Sequence, residues 1–382
     1  MVANTNGAVA TKPKAFYIPS IDGIRACAFL LVFIFHSFPT TPFIPGMFGV
    51  TVFFFLSGYL ITTLLQLEVR KTGAFSLRDF YIRRTLRILP PLYLVYAIAF
   101  TLGKAGVLYT AGNAKGFLST FFYFYNYASI LSTNYRVPTG LALLWSIMVE
   151  EHFYLFFPFI FYFFVSRKVT PSTQASVLFW LCMGALAWRV IVIYGFHTIQ
   201  NGYTFWGYHA TDCRFDSILW GCLLAVHNNP QAETGPKWYA KYVNLFALAG
   251  CALLVVDVLV RDEPFRQSFK QSLDCLALYP IFYFCIRRPA FWMVRPLQWK
   301  PLRYLGWISF TMYLSHECIL TYLQEHYPSH PVLDSASCFG ASLLFSWGMR
   351  EAVEQPLHRL RNRFRGKMAP SSVASEGLPA SS

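Results

Sequence analysis

Apolar runs of about twenty residues recur along almost the whole chain, and short polar segments separate them. An α-helix of roughly 20 residues is needed to cross a hydrocarbon core about 30 Å thick. The pattern therefore predicts an all-α fold, a polytopic membrane bundle of about ten transmembrane helices. The predicted spans are residues 19–38, 47–67, 89–108, 142–165, 175–195, 213–228, 244–260, 271–287, 304–323 and 335–351.

These spans divide the chain into three parts. Residues 1–18 form a polar N-terminal segment, residues 19–352 form one transmembrane domain, and residues 353–382 form a basic cytoplasmic segment and tail. From Gly366 onward the tail is rich in Ser, Ala and Pro and has no apolar period, so we expect it to be disordered, with no second folded domain. Residues 117–131 are rich in aromatic side chains, and we interpret them as an interfacial or re-entrant piece rather than an eleventh span.

Composition excludes the soluble classes of protein. Of 382 residues, 55% are hydrophobic, 19% are aromatic and only 13% are charged, whereas soluble domains carry about 25% charged residues. The net charge of +14 does not indicate nucleic acid, because that interpretation requires a basic face on a soluble fold. Here the basic residues flank apolar segments, so the predicted partner is the lipid bilayer.

The basic residues also predict orientation. Lys and Arg cluster in alternate loops, for example in residues 68–88 and 287–303, and loops of this kind stay cytoplasmic. An even number of spans then places both termini in the cytoplasm, with the bundle in the cell membrane. The first apolar run contains Arg25 and lacks a small-residue cleavage site after it, so we interpret it as an uncleaved span.

Polar side chains inside the spans are the main functional signal, since a charge at the centre of a span costs roughly 2.5–3.5 kcal/mol on insertion scales. In the first span, Arg25 and His36 are eleven residues apart. At about 100° and 1.5 Å per residue, they lie on one helix face about 16 Å apart. One face can therefore hold an anionic donor at its inner end and a base at its outer end. A snorkelling Arg25 and a structural His36 are the alternative.

The fourth span contains two adjacent carboxylates, Glu150 and Glu151. Neighbouring side chains on a helix point about 100° apart, so at least one of the two must face a polar interior. We expect one of them to orient and polarise His36, or else to pair with Arg25 in a structural role.

Two arginines mark the cytoplasmic start of the third span. Arg84 and Arg87 are three residues apart and are therefore neighbours on a helix, an arrangement suited to bidentate contacts with phosphate. An anchor at the lipid headgroups is the alternative. Arg214 and Asp216, at the start of the sixth span, fit an interhelical ion pair at least as well as a catalytic role.

Seven segments in order, from about residue 18 to 360, make the chain resemble the acyltransferase 3 family of integral membrane acyltransferases. IDGIRA with His36 resembles the opening Arg-x10-His element of that family, and GVTVFFFLSGYLITTLL resembles its second helix. The further matches are FYIRRTLRILP, LWSIMVEEHFYL, CRFDSILWGCLLA, LGWISFTMYLSHE and EQPLHRL. Two departures are His152, where relatives commonly have Gln, and Ser315 before His316, where Trp is usual.

The resemblance implies a ten-helix enzyme that takes an acyl group, often acetyl, from a cytoplasmic acyl-CoA. The acceptor would be a hydroxyl of a carbohydrate or glycosylated molecule. Carried over by position, His36 is the catalytic histidine, Arg25 is its partner in the motif, and Arg84 and Arg87 handle the donor.

The mechanism expected from these residues uses acyl-CoA as the donor, with acetyl-CoA as the first candidate, and it uses no metal. CoA phosphates would bind Arg84 and Arg87, and the pantetheine arm would pass Arg25 to reach His36. His36 then acts as a general base or carries the acyl group itself, and His316 is a competing base. Nine scattered cysteines without CxxC spacing offer no metal ligand set. A transporter or flippase with an intramembrane His/Glu/Arg relay, or an inactive lipid-binding relative, is the rival interpretation.

The orientation is testable by substituted-cysteine labelling of intact cells with a reagent that does not cross the membrane. Because the basic loops are expected inside, a cysteine at Ser132 should be labelled from outside, and cysteines at Ser76 and Ser371 should be protected. Strong labelling at Ser76 or Ser371 with none at Ser132 would contradict the predicted orientation.

Overall fold

The structure of the protein is a computed structural model, and it describes residues 17–39, 45–201, 205–230, 241–327 and 330–365. The predicted N-terminal segment up to residue 16 and the predicted tail from Gly366 lie outside the described residues.

The described residues form fifteen α-helices and no β-strand. They are α1 (Pro19–Ser37), α2 (Gly46–Thr72), α3 (Leu77–Lys104), α4 (Ala114–Phe121), α5 (Tyr125–Leu131), α6 (Trp145–Ser166), α7 (Pro171–Val190), α8 (Trp206–His209), α9 (Thr211–His227), α10 (Val243–Leu259), α11 (Glu263–Ser268), α12 (Lys270–Arg287), α13 (Lys300–His326), α14 (Pro331–Met349) and α15 (Gln355–Arg365). The predicted all-α fold is thus confirmed for the described part of the chain.

Ten of these helices, α1–α3, α6, α7, α9, α10 and α12–α14, coincide with the ten predicted spans. Five segments are both long and apolar enough to cross a membrane: Pro19–Ser37, Gly46–Thr72, Leu77–Lys104, Ala142–Ser166 and Pro171–Gly195. The others are shorter or more polar; α9 and α10, for example, have 17 residues each. The count of ten spans is therefore not confirmed.

Two predicted boundaries differ from the structure in informative ways. The third span was placed from residue 89, but α3 begins at Leu77, because the Ser76 side chain caps it by accepting a hydrogen bond from the Asp79 amide at 3.2 Å. Arg84 and Arg87 therefore belong to the helix itself. Residues 117–131 are not one helix: α4 and α5 have eight and seven residues and meet at Tyr123, whose φ is 61°.

Glycines allow two pairs of helices to approach closely. A Cβ atom at Gly221 of α9 would collide with the Phe55 carbonyl of α2, and one at Gly58 of α2 would collide with the Ile218 carbonyl of α9. Gly306 of α13 meets the Asp22 carbonyl of α1 in the same way. Small residues of this kind let membrane helices approach backbone to backbone, so α2 is locked to α9 and α1 to α13.

A fully buried ion pair connects α7, α9 and α12. Arg189 donates to both carboxylate oxygens of Asp216, at 3.0 and 2.8 Å, and also to Ser272 Oγ at 2.6 Å. Arg189 and Asp216 side chains are both 0% exposed. The interhelical ion pair that the sequence offered for Arg214 and Asp216 forms at Asp216, with Arg189 of α7 as its partner. Arg214 instead donates to Thr51 Oγ1 and lies over the Phe54 ring.

The glycine contacts predict a position-dependent effect of adding one methyl group. Gly221→Ala should destabilise the bundle by about 1–3 kcal/mol, because the Cβ atom forces α2 and α9 apart. Thermal unfolding of the purified protein in detergent measures the effect as a lowered Tm. Gly184→Ala is the matched control, since nothing lies within 4 Å of a Cβ atom there, and it should leave Tm unchanged or raise it. Equal Tm values for the two variants would contradict the proposed role of the close approach.

Candidate active site

A cavity opens between α1, α2, α3, α6 and α13. Its empty volume is about 820 Å³, a figure that includes open space at its mouth. Its polar lining residues are Arg25, Ser57, Arg84, Arg87, Ser146, Glu150, Tyr154, Ser309 and Tyr313. Its apolar lining residues are Val50, Phe53, Phe54, Leu56, Leu60, Ile88, Ile147 and Phe310. The lining runs from residue 50 to residue 60 of α2, which corresponds to a length of about 15 Å at the rise of an α-helix.

Three arginines that the sequence singled out meet in this cavity. Arg25 comes from α1, and Arg84 and Arg87 come from adjacent turns of α3. Within the described part of the chain, none of the three forms an ion pair with a carboxylate at 4 Å or less, and Arg84 instead lies over the Tyr154 ring at 4.7 Å. The guanidinium groups therefore remain available to a ligand.

Glu150 faces the same cavity, but its carboxylate is already engaged. Ser57 Oγ donates to one oxygen at 3.1 Å, and the Tyr154 hydroxyl donates to the other at 2.8 Å. The Ser57 and Tyr154 hydroxyls are themselves 3.0 Å apart. The expected bond from this carboxylate to His36 is absent from the described part, and Glu150 belongs to the arginine end of the site.

Glu151 is held apart from the cavity lining. Its Oε1 atom is buried and has no hydrogen-bond partner among the described residues. The expected contact with His36 is therefore not formed by either glutamate. The physical reason is that consecutive side chains diverge by about 100° on a helix, and the face of α6 that meets the cavity directs Glu150 toward α2.

His36 pairs with a second histidine. Its Nδ1 atom lies 2.9 Å from Nε2 of His316 on α13. The two rings are 18° apart in plane, with centroids separated by 5.1 Å. His316 is fully buried, with the rings of Phe29 and Phe33 packed at 5.7 and 6.0 Å. The sequence treated these two histidines as competitors, whereas the structure joins them.

Backbone acceptors fix the direction of this pair. His316 Nδ1 lies 2.8 Å from the Tyr313 carbonyl oxygen, which can only accept, so Nδ1 carries the proton. In the neutral ring, Nε2 of His316 then accepts from Nδ1–H of His36. The remaining nitrogen of a neutral His36, Nε2, therefore carries a lone pair that has no hydrogen-bond partner among the described residues, as a general base or a nucleophile requires.

Comparison with known proteins shows the family of the chain. A family described as "Acyltransferase domain" matches residues 18–351. The chain belongs to this family of membrane acyltransferases. Peptidoglycan O-acetyltransferase OatA of Listeria monocytogenes is 29% identical over 323 residues, which cover 81% of this chain and 50% of that protein. O-acetyltransferase OatA of Staphylococcus aureus is 28% identical over 320 residues, which cover 81% and 52%.

The chain thus spans about half the length of the curated relatives it matches. No solved structure matches it. Belonging to the acyltransferase family makes the protein a transferase.

Sequence reasoning missed several residues of this acyltransferase site. Ser57 and Tyr154 hold Glu150, and the Tyr313 hydroxyl shares a 2.7 Å hydrogen bond with Ser146 Oγ. The sequence did contain a signal for Tyr154. It lies four residues after Glu150, and residues at this spacing are neighbours on a helix, so contact between the two side chains could have been predicted. Within the described residues there is no cluster of three or more His, Cys, Asp or Glu that could hold a metal ion.

Proposed function

We propose that this acyltransferase moves an acetyl group from acyl-CoA to a hydroxyl of a carbohydrate or glycosylated acceptor. The observation that carries the proposal is a cavity with three unpaired guanidinium groups at one end and the His36–His316 pair beyond the other. The named relatives support O-acetyl transfer, and the name of one supports a peptidoglycan-type acceptor.

A phosphorylated thioester donor accounts for the chemistry of this cavity. Arg25, Arg84 and Arg87 bring three positive charges, whereas Glu150 supplies the one carboxylate in the lining. Arg25 and Arg84 are half-buried and Arg87 is exposed, and guanidinium groups bind phosphate bidentately. The apolar remainder of the lining suits an uncharged arm that carries the acyl group. Acyl-CoA combines both features, with several phosphates at one end and the thioester at the other.

In the proposed transfer step, the reacting atom of the protein is Nε2 of His36. Nε2 takes the proton of the acceptor hydroxyl while its oxygen attacks the thioester carbonyl, so a C–O bond forms and the C–S bond breaks. The departing thiolate then receives the proton from His36, giving free CoA and the acyl ester. In the second course, Nε2 itself attacks the carbonyl and the thiolate departs, so that Nε2 carries the acyl group. The acceptor hydroxyl then attacks, its C–O bond replaces the C–N bond to His36, and its proton passes to the thiolate to give free CoA. His316 is a positioning residue in both courses.

The site would connect the two sides of the membrane. With the predicted orientation, Arg84 and Arg87 lie toward the cytoplasm, where acyl-CoA is present, and His36 lies toward the outer surface. The acceptor would therefore be acylated outside the cell membrane, with both termini of the chain inside.

The donor assignment predicts the effect of removing single arginines. Arg84→Ala or Arg87→Ala should weaken acetyl-CoA binding about 10- to 100-fold, since a charge-assisted hydrogen bond contributes about 1.5–3 kcal/mol. Isothermal titration with a non-hydrolysable acetyl-CoA analogue measures this loss in purified protein.

Arg83→Ala is the matched control for these variants. Arg83 lies on the same helix but pairs with Glu68 at 2.6 Å and does not line the cavity. Its loss should leave donor affinity unchanged. If Arg84→Ala binds like Arg83→Ala, or if it fails to insert into the membrane, the arginines are anchors to the lipid surface rather than donor ligands.

The histidine pair predicts unequal effects of two substitutions. His36→Ala should abolish acyl transfer and leave donor binding intact, because it removes the reacting nitrogen. His316→Ala should lower kcat about 10²- to 10⁴-fold, within the range for general acid–base groups, because His36 loses the acceptor that holds its Nδ1 proton. His316→Gln, which can accept a hydrogen bond at a similar position, should restore part of the rate. CoA release and acetyl-CoA affinity are measured in parallel.

Three other results would contradict the catalytic residue, the donor or the class of protein proposed here. If His316→Ala is inactive and His36→Ala retains substantial transfer, the catalytic assignment is wrong, although the family assignment stands. If labelled acetyl-CoA gives no acyl-dependent CoA release in the wild type with peptidoglycan fragments, the donor is wrong. Movement of a labelled substrate across proteoliposomes without ester formation would favour the transporter or flippase alternative.

A further inference from the structure

Two aromatic rings contact each other at the end of the cavity that lies toward the His36–His316 pair. Phe53 of α2 and Tyr313 of α13 both line the cavity, and their ring centroids are 6.3 Å apart at an angle of 63°. His316 begins one turn beyond, with its ring 5.8 Å from that of Tyr313. Of the described residues that line the cavity, none is a histidine, and Val50 is the other lining residue at this end of α2.

Tyr313 is the fixed member of this aromatic pair. Its hydroxyl lies 2.7 Å from Ser146 Oγ and donates to the Leu143 carbonyl at 3.2 Å. Phe53 has no polar atom to fix it, and it is half-buried, whereas its neighbours Phe54 and Phe55 are 1% and 0% exposed. The space for an acyl group at this end therefore depends mainly on the Phe53 side chain.

We propose that Phe53, packed against the fixed Tyr313, determines how long an acyl group can pass from the cavity to His36. This inference rests on the proposed function, because it assumes a thioester donor in the cavity. A two-carbon group needs only a small displacement of the Phe53 ring, whereas each additional methylene needs space that close-packed rings do not offer. Phe53 is thus a specificity-determining residue that selects short acyl groups, with acetyl favoured.

The test changes the size of this side chain in both directions. Initial rates of CoA release are measured for purified full-length protein with acetyl-CoA and butyryl-CoA and soluble peptidoglycan fragments as acceptor. Phe53→Leu should raise the ratio of butyryl to acetyl kcat/KM about tenfold or more, since a methylene in an apolar pocket changes discrimination about 10- to 200-fold. Phe53→Trp should lower acetyl turnover without changing acetyl-CoA affinity.

Phe55→Leu is the matched control. Phe55 is on the same helix and fully buried, but it packs against Phe282 at 4.7 Å and does not line the cavity. Because Phe55 is more deeply buried than Phe53, Phe55→Leu should cost at least as much stability as Phe53→Leu, and it should leave the butyryl to acetyl ratio at the wild-type value.

The outcomes distinguish a failure of this inference from a failure of the proposed function on which it rests. An unchanged ratio in Phe53→Leu, with acetyl transfer intact, overturns the role of Phe53 and leaves the proposed function standing. An equal rise in Phe53→Leu and Phe55→Leu also overturns it, because general loosening then explains the change. Absence of CoA release from any acyl-CoA in the wild type overturns both proposals.

Discussion

The cost of burying charge among apolar helices is the constraint on which this structure depends. A charged side chain inside an apolar bundle needs a partner, because neither lipid nor packed side chains replace water. Arg189 meets this need within the protein, since Asp216, Ser272 and the carbonyls of Cys213 and Ser268 occupy its guanidinium group. Such a complete set of partners fixes three helices relative to one another and leaves no capacity for a ligand.

The arginines of the cavity meet the same constraint differently. Arg25, Arg84 and Arg87 face an open volume and have no carboxylate partner at ion-pair distance in the described part, although Glu150 lies nearby with both of its oxygens engaged. A fully paired charge stabilises a packing arrangement, whereas a set of like charges around a cavity gains most when an anion enters. The contrast is the reason for treating Arg189 as structural and for proposing that Arg25, Arg84 and Arg87 bind a polyanionic donor.

Local patterns were enough to predict the helices, and long-range pairing was not predictable in the same way. The apolar runs located ten helices, and helical spacing brought Arg84 and Arg87 to one face. A glutamate was expected to orient His36 or to pair with Arg25, whereas the described structure pairs His36 with His316, which lies 280 residues away in the sequence. Nothing in the periodicity of α1 or α13 specifies their relative height. Asp216 was expected in an interhelical ion pair, but the sequence could not name its partner, Arg189 of α7, for the same reason.

The relative height of α1 and α13 is set by backbone contacts rather than by the histidines. Gly306 of α13 meets the Asp22 carbonyl of α1, and this close approach aligns the two helices about three turns before His316 on α13 and about four turns before His36 on α1. Tyr313 then contributes to both parts of the site: its ring lines the cavity, and its carbonyl accepts the Nδ1 proton of His316. Because this carbonyl belongs to the helix backbone, the position of the His316 proton does not depend on the rings that line the cavity. The lone pair of His36 Nε2 is therefore maintained by the packing of α1 against α13.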